Sequence, residues 1–282
     1  MKYGKSLGLS IILICLSPIL SFSMNGQGDN PLYFGFELFN QSYTSFSEQR
    51  STAPLIAGYP AIISNYSGFG FSFRSGSHDI SLEISPSNIL SSDNGSGRNL
   101  LLSPRKSFYS RYNLDYACYF PLFKSKRLRG QHALNTGILY EDRYLYFDGS
   151  IIESTIDINM YIGPRLKFKY HVSDSWTMNL IFDGRFYLPY LNKGRIIVNN
   201  RQGSTIYESD YFAFYYQTVL CMNVIKTLND GNFLELGVKK NDLIGYANSQ
   251  RLFYIDDLIH FKFDRLYQIY ISMNFDFRSL HE

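Results

Sequence analysis

Few residues of this 282-residue chain have the types and spacing that acid–base chemistry requires. Asp256, Asp257 and His260 come closest, because carboxylates near an imidazole can activate a water molecule. Glu141 and Asp142 form a second acidic pair, but neighbouring residues of a strand point to opposite faces, so the two carboxylates cannot address one water. The five histidines lie in no recognisable Ser–His motif. We therefore predict no catalytic residue and no enzymatic activity, and we keep the Asp256–His260 segment as a candidate for an exposed rim.

Other kinds of site are also absent from the sequence pattern. A metal site needs several clustered ligands, and a nucleotide site needs a glycine-rich phosphate loop; neither motif occurs. Lys and Arg number 27 against 24 Asp and Glu, so the charge is nearly balanced. Nucleic-acid binding would require a strongly basic chain. We predict no metal, no cofactor and no nucleic-acid partner.

The N-terminal segment has the pattern of a secretory signal peptide. Lys2 and Lys5 precede an apolar run from Leu7 to Leu20, and small residues follow at Ser21 and Ser23. This order predicts cleavage after residue 23 and a single mature domain over residues 24–282. No later apolar run is long enough for a transmembrane helix.

Alternating apolar and polar residues dominate the mature chain. In residues 158–171, Ile158, Met160 and Ile162 share one face, whereas Arg165, Lys167 and Lys169 share the other. Period-two alternation predicts a strand with two different faces. We identify ten such segments, with eight or twelve as the alternatives: residues 32–43, 66–74, 78–85, 108–120, 132–142, 157–171, 176–188, 211–224, 233–240 and a last segment that ends at 277.

The connections between these strands alternate between short and long. Tight turns at one end and long loops at the other are typical of an antiparallel up-and-down transmembrane β-barrel, and a secreted β-sandwich is the alternative. The last strand favours the barrel, because its face from Tyr267 to Phe277 is large, apolar and uncharged. Aromatic residues also lie near strand ends, at Tyr170, Trp176, Tyr187 and Tyr190, where interfacial girdles are expected.

On the barrel interpretation the charged face lines the interior. If the sixth and seventh strands pair about Asp174, Arg165 lies opposite Asp183. Charges of both signs indicate a mostly filled interior, and a small polar channel remains the alternative. The candidate lumen-lining residues are Arg111, Asp115, Arg165, Lys167, Lys169, Asp183 and Arg185.

The signal peptide, the ten alternating segments and hairpins such as YHVSDSWTMNLIFDG resemble bacterial outer-membrane β-barrel proteins of the Bacteroidota type. The last strand is similar to the insertion signal of those proteins, with Phe275 and Phe277 as its paired aromatics. The resemblance implies a monomer in the cell outer membrane, in contact with its lipid. The ten-stranded omptin proteases share this architecture, but residues 256–260 lack their Asp-x-His spacing.

The resulting hypothesis is a structural, binding or secretion-accessory role at the cell envelope. A porin-like small-solute channel is the first alternative, and an omptin-like hydrolase is the second. The basic connection from Lys124 to Arg129 is a candidate contact for lipid headgroups or an envelope protein partner. Cys118 and Cys221 fall on opposite faces of strands that are not neighbours, so we predict no disulfide between them.

Overall fold

The computed structural model describes most of the chain. The described residues are 32–50, 59–91, 106–147, 150–200, 203–210, 212–228, 231–249 and 258–276. The predicted signal peptide lies outside them. The described part of the chain contains no helix that is long and apolar enough to cross a membrane.

The described residues form eleven strands, and ten of them contain the alternating segments found in the sequence. A tight turn joins β2 to β3 at Gly76, which adopts a positive φ of 57° that a residue with a side chain disfavours. The strands are β1 (Leu32–Arg50), β2 (Tyr59–Ser75), β3 (His78–Ser91), β4 (Lys106–Lys124), β5 (Leu128–Phe147), β6 (Ser150–His171), β7 (Trp176–Asn200), β8 (Gly203–Asp210), β9 (Phe212–Thr227), β10 (Phe233–Ser249) and β11 (Leu258–Asp276).

Ten of these strands close into a ring, which confirms the predicted antiparallel β-barrel of ten strands. β1 pairs with β11, and β6 pairs with β7, so the ring has no free edge. Following the directly paired residues once around the ring from Phe34 on β1 leads back to β1 at Phe46, twelve residues along the strand. A stagger of this size tilts the strands by about 40° to the barrel axis.

β8 stands outside the ring and pairs only with the far part of β7, residues 193–200. The alternating segments leave the residues between 188 and 211 as a long loop. This prediction is wrong for the residues that form the end of β7 and β8. Residues 193–200 and 203–210 pair with each other beyond the ring. β7 is 25 residues long, whereas crossing the hydrocarbon takes about 9–11. We call this end of the barrel the loop end, and the end with the short turns the turn end.

The barrel is apolar outside and polar inside. On β6, Met160 and Ile162 are 44% and 45% exposed, whereas Asn159 and Tyr161, which alternate with them, are buried. The same alternation runs along β7, β9 and β11. An apolar exterior on a closed ring suits contact with hydrocarbon, since every ladder hydrogen bond is satisfied internally. The apolar faces predicted for the strands thus point outward.

Aromatic residues mark the turn end of the exterior. Tyr170 and Trp176 are exposed on either side of the β6–β7 turn, and the Lys226 ammonium lies 4.8 Å from the Trp176 ring centroid. Tyr190 is exposed near the loop end, but the girdle position predicted for Tyr187 is wrong. Tyr187 is 0% exposed and points inward, because it lies three residues from Tyr190 and so on the other face.

One part of the exterior carries charge. Lys240 and Asp242 on β10 and Arg265 on β11 face outward. The Asp242 carboxylate lies 2.7 Å from the Lys240 ammonium and 2.7 Å from the Arg265 guanidinium. Tyr267, Ile269 and Val238 continue this wall toward the turn end as an exposed apolar surface. The uncharged part of this wall is therefore shorter than on β7, where no charged residue faces outward between Trp176 and Tyr190.

The two cysteines lie on different sides of the wall. Cys221 is buried and faces inward on β9, and Cys118 lies half-buried on the outward face of β4. Both are free thiols, and β4 and β9 do not pair. This placement agrees with the prediction from the alternation pattern.

Candidate functional site

The β6–β7 hairpin positions the centre of the interior. Residues 172–175 form the turn, and the register places Arg165 directly opposite Asp183. Arg185 follows two residues later on β7, so its side chain points to the same interior. All three side chains are at least nine-tenths buried.

Asp183 and Asp115 hold the two guanidinium groups in one network. Arg165 Nη2 lies 2.5 Å from Asp115 Oδ2 and 2.7 Å from Asp183 Oδ2. Arg185 donates from Nε to Asp183 at 2.9 Å and from Nη2 to Asp115 at 3.4 Å. The Asn135 amide donates to both Asp183 oxygens at 2.8 and 2.9 Å. We call these five residues the central network; it joins β4, β5, β6 and β7 across the lumen.

Tyrosines connect the central network to the loop end. The Arg185 guanidinium lies 4.7 Å from the Tyr161 ring centroid, and the Tyr161 hydroxyl donates to Asp115 at 3.0 Å. Tyr187 packs on Tyr161 with ring centroids 5.0 Å apart and donates to Gln217 at 2.6 Å. These contacts hold both rings across the lumen.

Apolar side chains close the interior above these rings. Leu139, Tyr161, Tyr187, Tyr215 and Leu243 form a buried cluster contributed by β5, β6, β7, β9 and β10. We call this cluster the aromatic plug. It lies on the loop-end side of the central network, because on β6 Tyr161 is farther from the turn than Arg165. A buried apolar cluster in the lumen excludes water from that section.

A second set of ion pairs lies toward the turn end. Arg74 donates to Glu235 at 3.0 Å, Lys167 lies 3.4 Å from Asp79, and Lys239 contacts Glu83. Tyr270 also donates to Glu235, at 2.7 Å. The Arg74–Glu235 and Lys239–Glu83 pairs join β2 and β3 to β10, so these two pairs form only when β1 and β11 have paired.

A cavity of about 120 Å³ lies among these groups. Arg74 and Asp79 line it at the turn end and have side chains 27% and 24% exposed, whereas Asp183 at its inner end is 1% exposed. A polar cavity of this volume has room for a few water molecules. Glu37 also lines it and accepts a hydrogen bond from Gln268 at 3.0 Å.

Two cations at the turn-end mouth lie beside the cavity. Arg129 on β5 is directly opposite Lys169 on β6. Among the described residues, neither side chain has a carboxylate within ion-pair distance. Lys167, two residues from Lys169 on the same face, adds a third positive charge.

The structure places all seven predicted lumen residues on the inner face, in three groups. Asp115, Arg165, Asp183 and Arg185 meet in the central network. Arg111 lies farther toward the loop end, 3.9 Å from Glu141. Lys167 and Lys169 lie at the turn-end mouth. Glu141 faces inward and Asp142 outward, as their adjacency predicts.

The rim candidates are only partly described. Asp256 and Asp257 lie outside the described residues. The backbone of His260 belongs to β11, opposite Gln49 and Ala247. Within the described ranges no group of three or more His, Cys, Asp or Glu residues is arranged to hold a metal ion.

The pattern of charges did not predict several residues that complete the site. Asn135, Tyr161, Tyr187 and Gln217 all lie on inward faces, and alternation alone could have placed them there. Their roles depend on contacts across non-adjacent parts of the wall, such as Asn135 to Asp183.

No family model matches the chain, and no curated protein matches it in sequence. Several solved structures of bacterial outer-membrane β-barrels are similar. The outer membrane protease OmpT from Escherichia coli aligns over 88% of this chain and 98% of its own, with 8% identity and a TM-score of 0.49. The outer membrane protein OprG from Pseudomonas aeruginosa aligns over 87% and 96%, with 11% identity and a TM-score of 0.33. The translocator domain of the autotransporter NalP from Neisseria meningitidis aligns over 96% and 97%, with 7% identity and a TM-score of 0.35.

Proposed function

We propose that this chain is a closed β-barrel of the cell outer membrane, without enzymatic activity, that serves a structural, binding or secretion-accessory role at the envelope. The observation that carries the proposal is the filled interior. The central network spans the lumen, and the aromatic plug packs on its loop-end side. Because the interior of such a barrel is used for packing, the surfaces at its two ends are the ones that carry its function.

The physical argument rests on how the charges are arranged. A conducting pore needs a continuous wet path, and ion selectivity comes from rings of like charge that face water. Here each carboxylate of the central network is shared by two guanidinium groups. Such pairs hold strands together and leave little charge for a permeating ion. The cavity that lies toward the turn end is lined by the central network at its inner end, and no residue of the plug lines it.

A small-solute channel is the second candidate, and the turn-end cavity favours it. A channel would require the plug to move, because Tyr161 and Tyr187 are almost completely buried. The two candidates therefore differ in one measurable property, which is conductance with the plug intact.

Planar-bilayer recordings test the closed barrel. We expect no resolvable conductance steps from the wild-type protein and clear steps from a Tyr161→Ala, Tyr187→Ala double variant, since the two truncations remove most of the plug. Tyr190→Ala is the matched control, because it removes a tyrosine from the outward face of the same strand. Regular steps from the wild-type protein would show that the lumen is an open channel.

The membrane location has its own test. Cell fractionation should place the protein in the outer membrane. Folded barrels commonly migrate differently from their boiled form in detergent gels, and the same shift is expected here. A protein that remains soluble without detergent would contradict the location and the apolar exterior together.

A further inference from the structure

The turn-end parts of β5 and β6 carry an unusual excess of positive charge. Over residues 128–133 and 165–171 the chain has Arg129, Arg165, Lys167 and Lys169 and no Asp or Glu. Arg165 is neutralised by the central network, and Lys167 reaches Asp79 on β3. Arg129 and Lys169 have no carboxylate within ion-pair distance among the described residues, although Asp79 also attracts Lys169 at longer range. We call these two side chains, with Lys167, the cationic mouth.

The arrangement of the cationic mouth costs stability. Arg129 and Lys169 are direct cross-strand neighbours. Like charges in that position repel and destabilise the pair of strands. Filling the lumen does not require this pair, because the mouth is at the barrel's open end, where a neutral residue would fit. Two positive charges that face an opening can instead bind an anion that enters from outside.

The backbone holds the mouth in a fixed shape. The Ser125 amide donates to the Leu128 carbonyl at 2.8 Å, and the Leu128 amide donates to the Ser125 hydroxyl at 3.1 Å. The His171 amide donates to the Arg127 carbonyl at 2.8 Å, which ties the turn to the end of β6. The backbone positions from which Arg129 and Lys169 extend are therefore ordered, which lowers the cost of presenting both charges to a ligand.

The direction of these side chains separates them from the bilayer. On the outward face at the same level, Phe123, Leu128 and Tyr170 are exposed and form an apolar surface. Lipid headgroups approach that outer face, whereas Arg129 and Lys169 have the parity of the inner face. The space beside them is the mouth of the lumen, which a soluble chain can reach.

We propose that the cationic mouth docks an acidic peptide segment of a soluble envelope protein. Successive carboxylates of that segment would pair with Arg129 and Lys169, and the turn residues Lys126 and Arg127 would attract it electrostatically. The proposal names a partner for the binding role proposed above and rests on that role. It does not depend on whether the lumen conducts.

Fluorescence anisotropy of labelled octaglutamate with the full-length protein in nanodiscs of neutral lipid tests the docking. We expect saturable binding that weakens as salt is added. An Arg129→Gln, Lys169→Gln double variant should bind at least about tenfold more weakly, since it removes both uncompensated charges. Lys226→Gln is the matched control, because Lys226 lies at the same end but faces outward over Trp176; it should change binding by less than about twofold.

Three results would overturn the docking proposal: no binding of octaglutamate to the wild-type protein, an equal loss in the Lys226→Gln variant, or competition by inorganic phosphate as effective as that by unlabelled octaglutamate. A gain of binding to anionic-lipid vesicles that depends on Arg129 and Lys169 would assign the mouth to the membrane instead. The detergent-gel shift of each variant verifies folding. Wild-type conductance, measured separately, would overturn only the closed lumen.

Discussion

The barrel interior differs on the two sides of the central network. Toward the turn end, ion pairs such as Arg74–Glu235 and Lys167–Asp79 surround a cavity, and their side chains keep partial contact with water. Toward the loop end, Tyr161, Tyr187 and Leu139 pack together in the aromatic plug, and the buried Arg111–Glu141 pair lies beyond them. The central network lies between these halves. One lumen therefore combines a hydrated, charged section with a small apolar core.

The difference shows which interactions can close a narrow barrel. Ion pairs neutralise charge, but each long side chain must also find hydrogen bonds, and gaps remain that water fills. Tyrosine fills volume with its ring and satisfies its hydroxyl with one acceptor, as Tyr187 does with Gln217. The tyrosine rings close the lumen, and the ion pairs join strands that are distant in sequence. The following changes test this division of roles.

Asp183→Ala should have the largest effect. It leaves the Arg165 and Arg185 guanidinium groups and the Asn135 amide without their shared acceptor in a buried site. We expect the free energy of unfolding to fall by about 3 to 5 kcal/mol. Urea unfolding in vesicles, followed by the fluorescence of the single tryptophan, measures the loss. Asp174→Ala in the exposed β6–β7 turn is the control, and equal effects of the two changes would contradict the role given to Asp183.

Gly163→Ala tests the boundary between the halves, since Gly163 lies between Arg165 and Tyr161 on the inner face. A Cβ there would collide with the backbone carbonyl of Gly184 on β7. We expect a loss of about 1 to 3 kcal/mol, because the strands must move apart. Gly184→Ala is the matched control: its Cβ faces outward and meets only the Tyr216 hydroxyl at 3.3 Å and Pro164. If both variants unfold at the same urea concentration, close packing at Gly163 is unimportant.

Arg185→Lys separates charge from geometry in the central network. Lysine keeps the positive charge but loses the planar group that bonds Asp183 and Asp115 and stacks on Tyr161. We expect a loss of about 1 to 2 kcal/mol in the same unfolding assay. Arg265→Lys, on the exterior, should change stability less. A wild-type unfolding curve for Arg185→Lys would mean that the network needs only net charge.

Lys226→Gln should have the smallest effect, because the change lies on the exterior and leaves both halves of the interior intact. The Lys226 ammonium stacks on Trp176 and donates to the Ser175 hydroxyl at 3.0 Å. We expect a loss of about 0.5 to 1 kcal/mol together with an altered Trp176 emission maximum. Lys193→Gln, at the loop end, is the control that should leave the emission unchanged.

The alternation of apolar and polar residues predicted the features of this fold that depend on a single strand or hairpin. It gave the inward and outward faces of β6 and β7, and the hairpin centre at Asp174 gave the Arg165–Asp183 pair. This pair could be predicted because both partners lie on one hairpin. The contacts of Arg74 with Glu235 could not be predicted in this way, since they depend on ring closure and on the stagger, which no single segment encodes.

The aromatic plug was missed for a different reason. Leu139 and Leu243 interrupt the polar face of their strands, and each looks like an irregularity when its strand is considered alone. Only the assembled ring brings five such interruptions to one level. The extension of β7 and the strand β8 were also missed, because the sequence there alternates less regularly than in the membrane-facing part.

The charged cluster Lys240–Asp242–Arg265 has a consequence for the orientation of the barrel. It ends the uncharged exterior of β10 after Val238, whereas β7 remains uncharged as far as Tyr190. A bilayer of uniform thickness cannot match both heights with the axis upright, and mismatch of this kind is relieved by tilting or by local thinning. We therefore expect the barrel to lean so that the β10–β11 wall places its charges at the headgroups, while the β6–β7 wall lies deeper across the hydrocarbon.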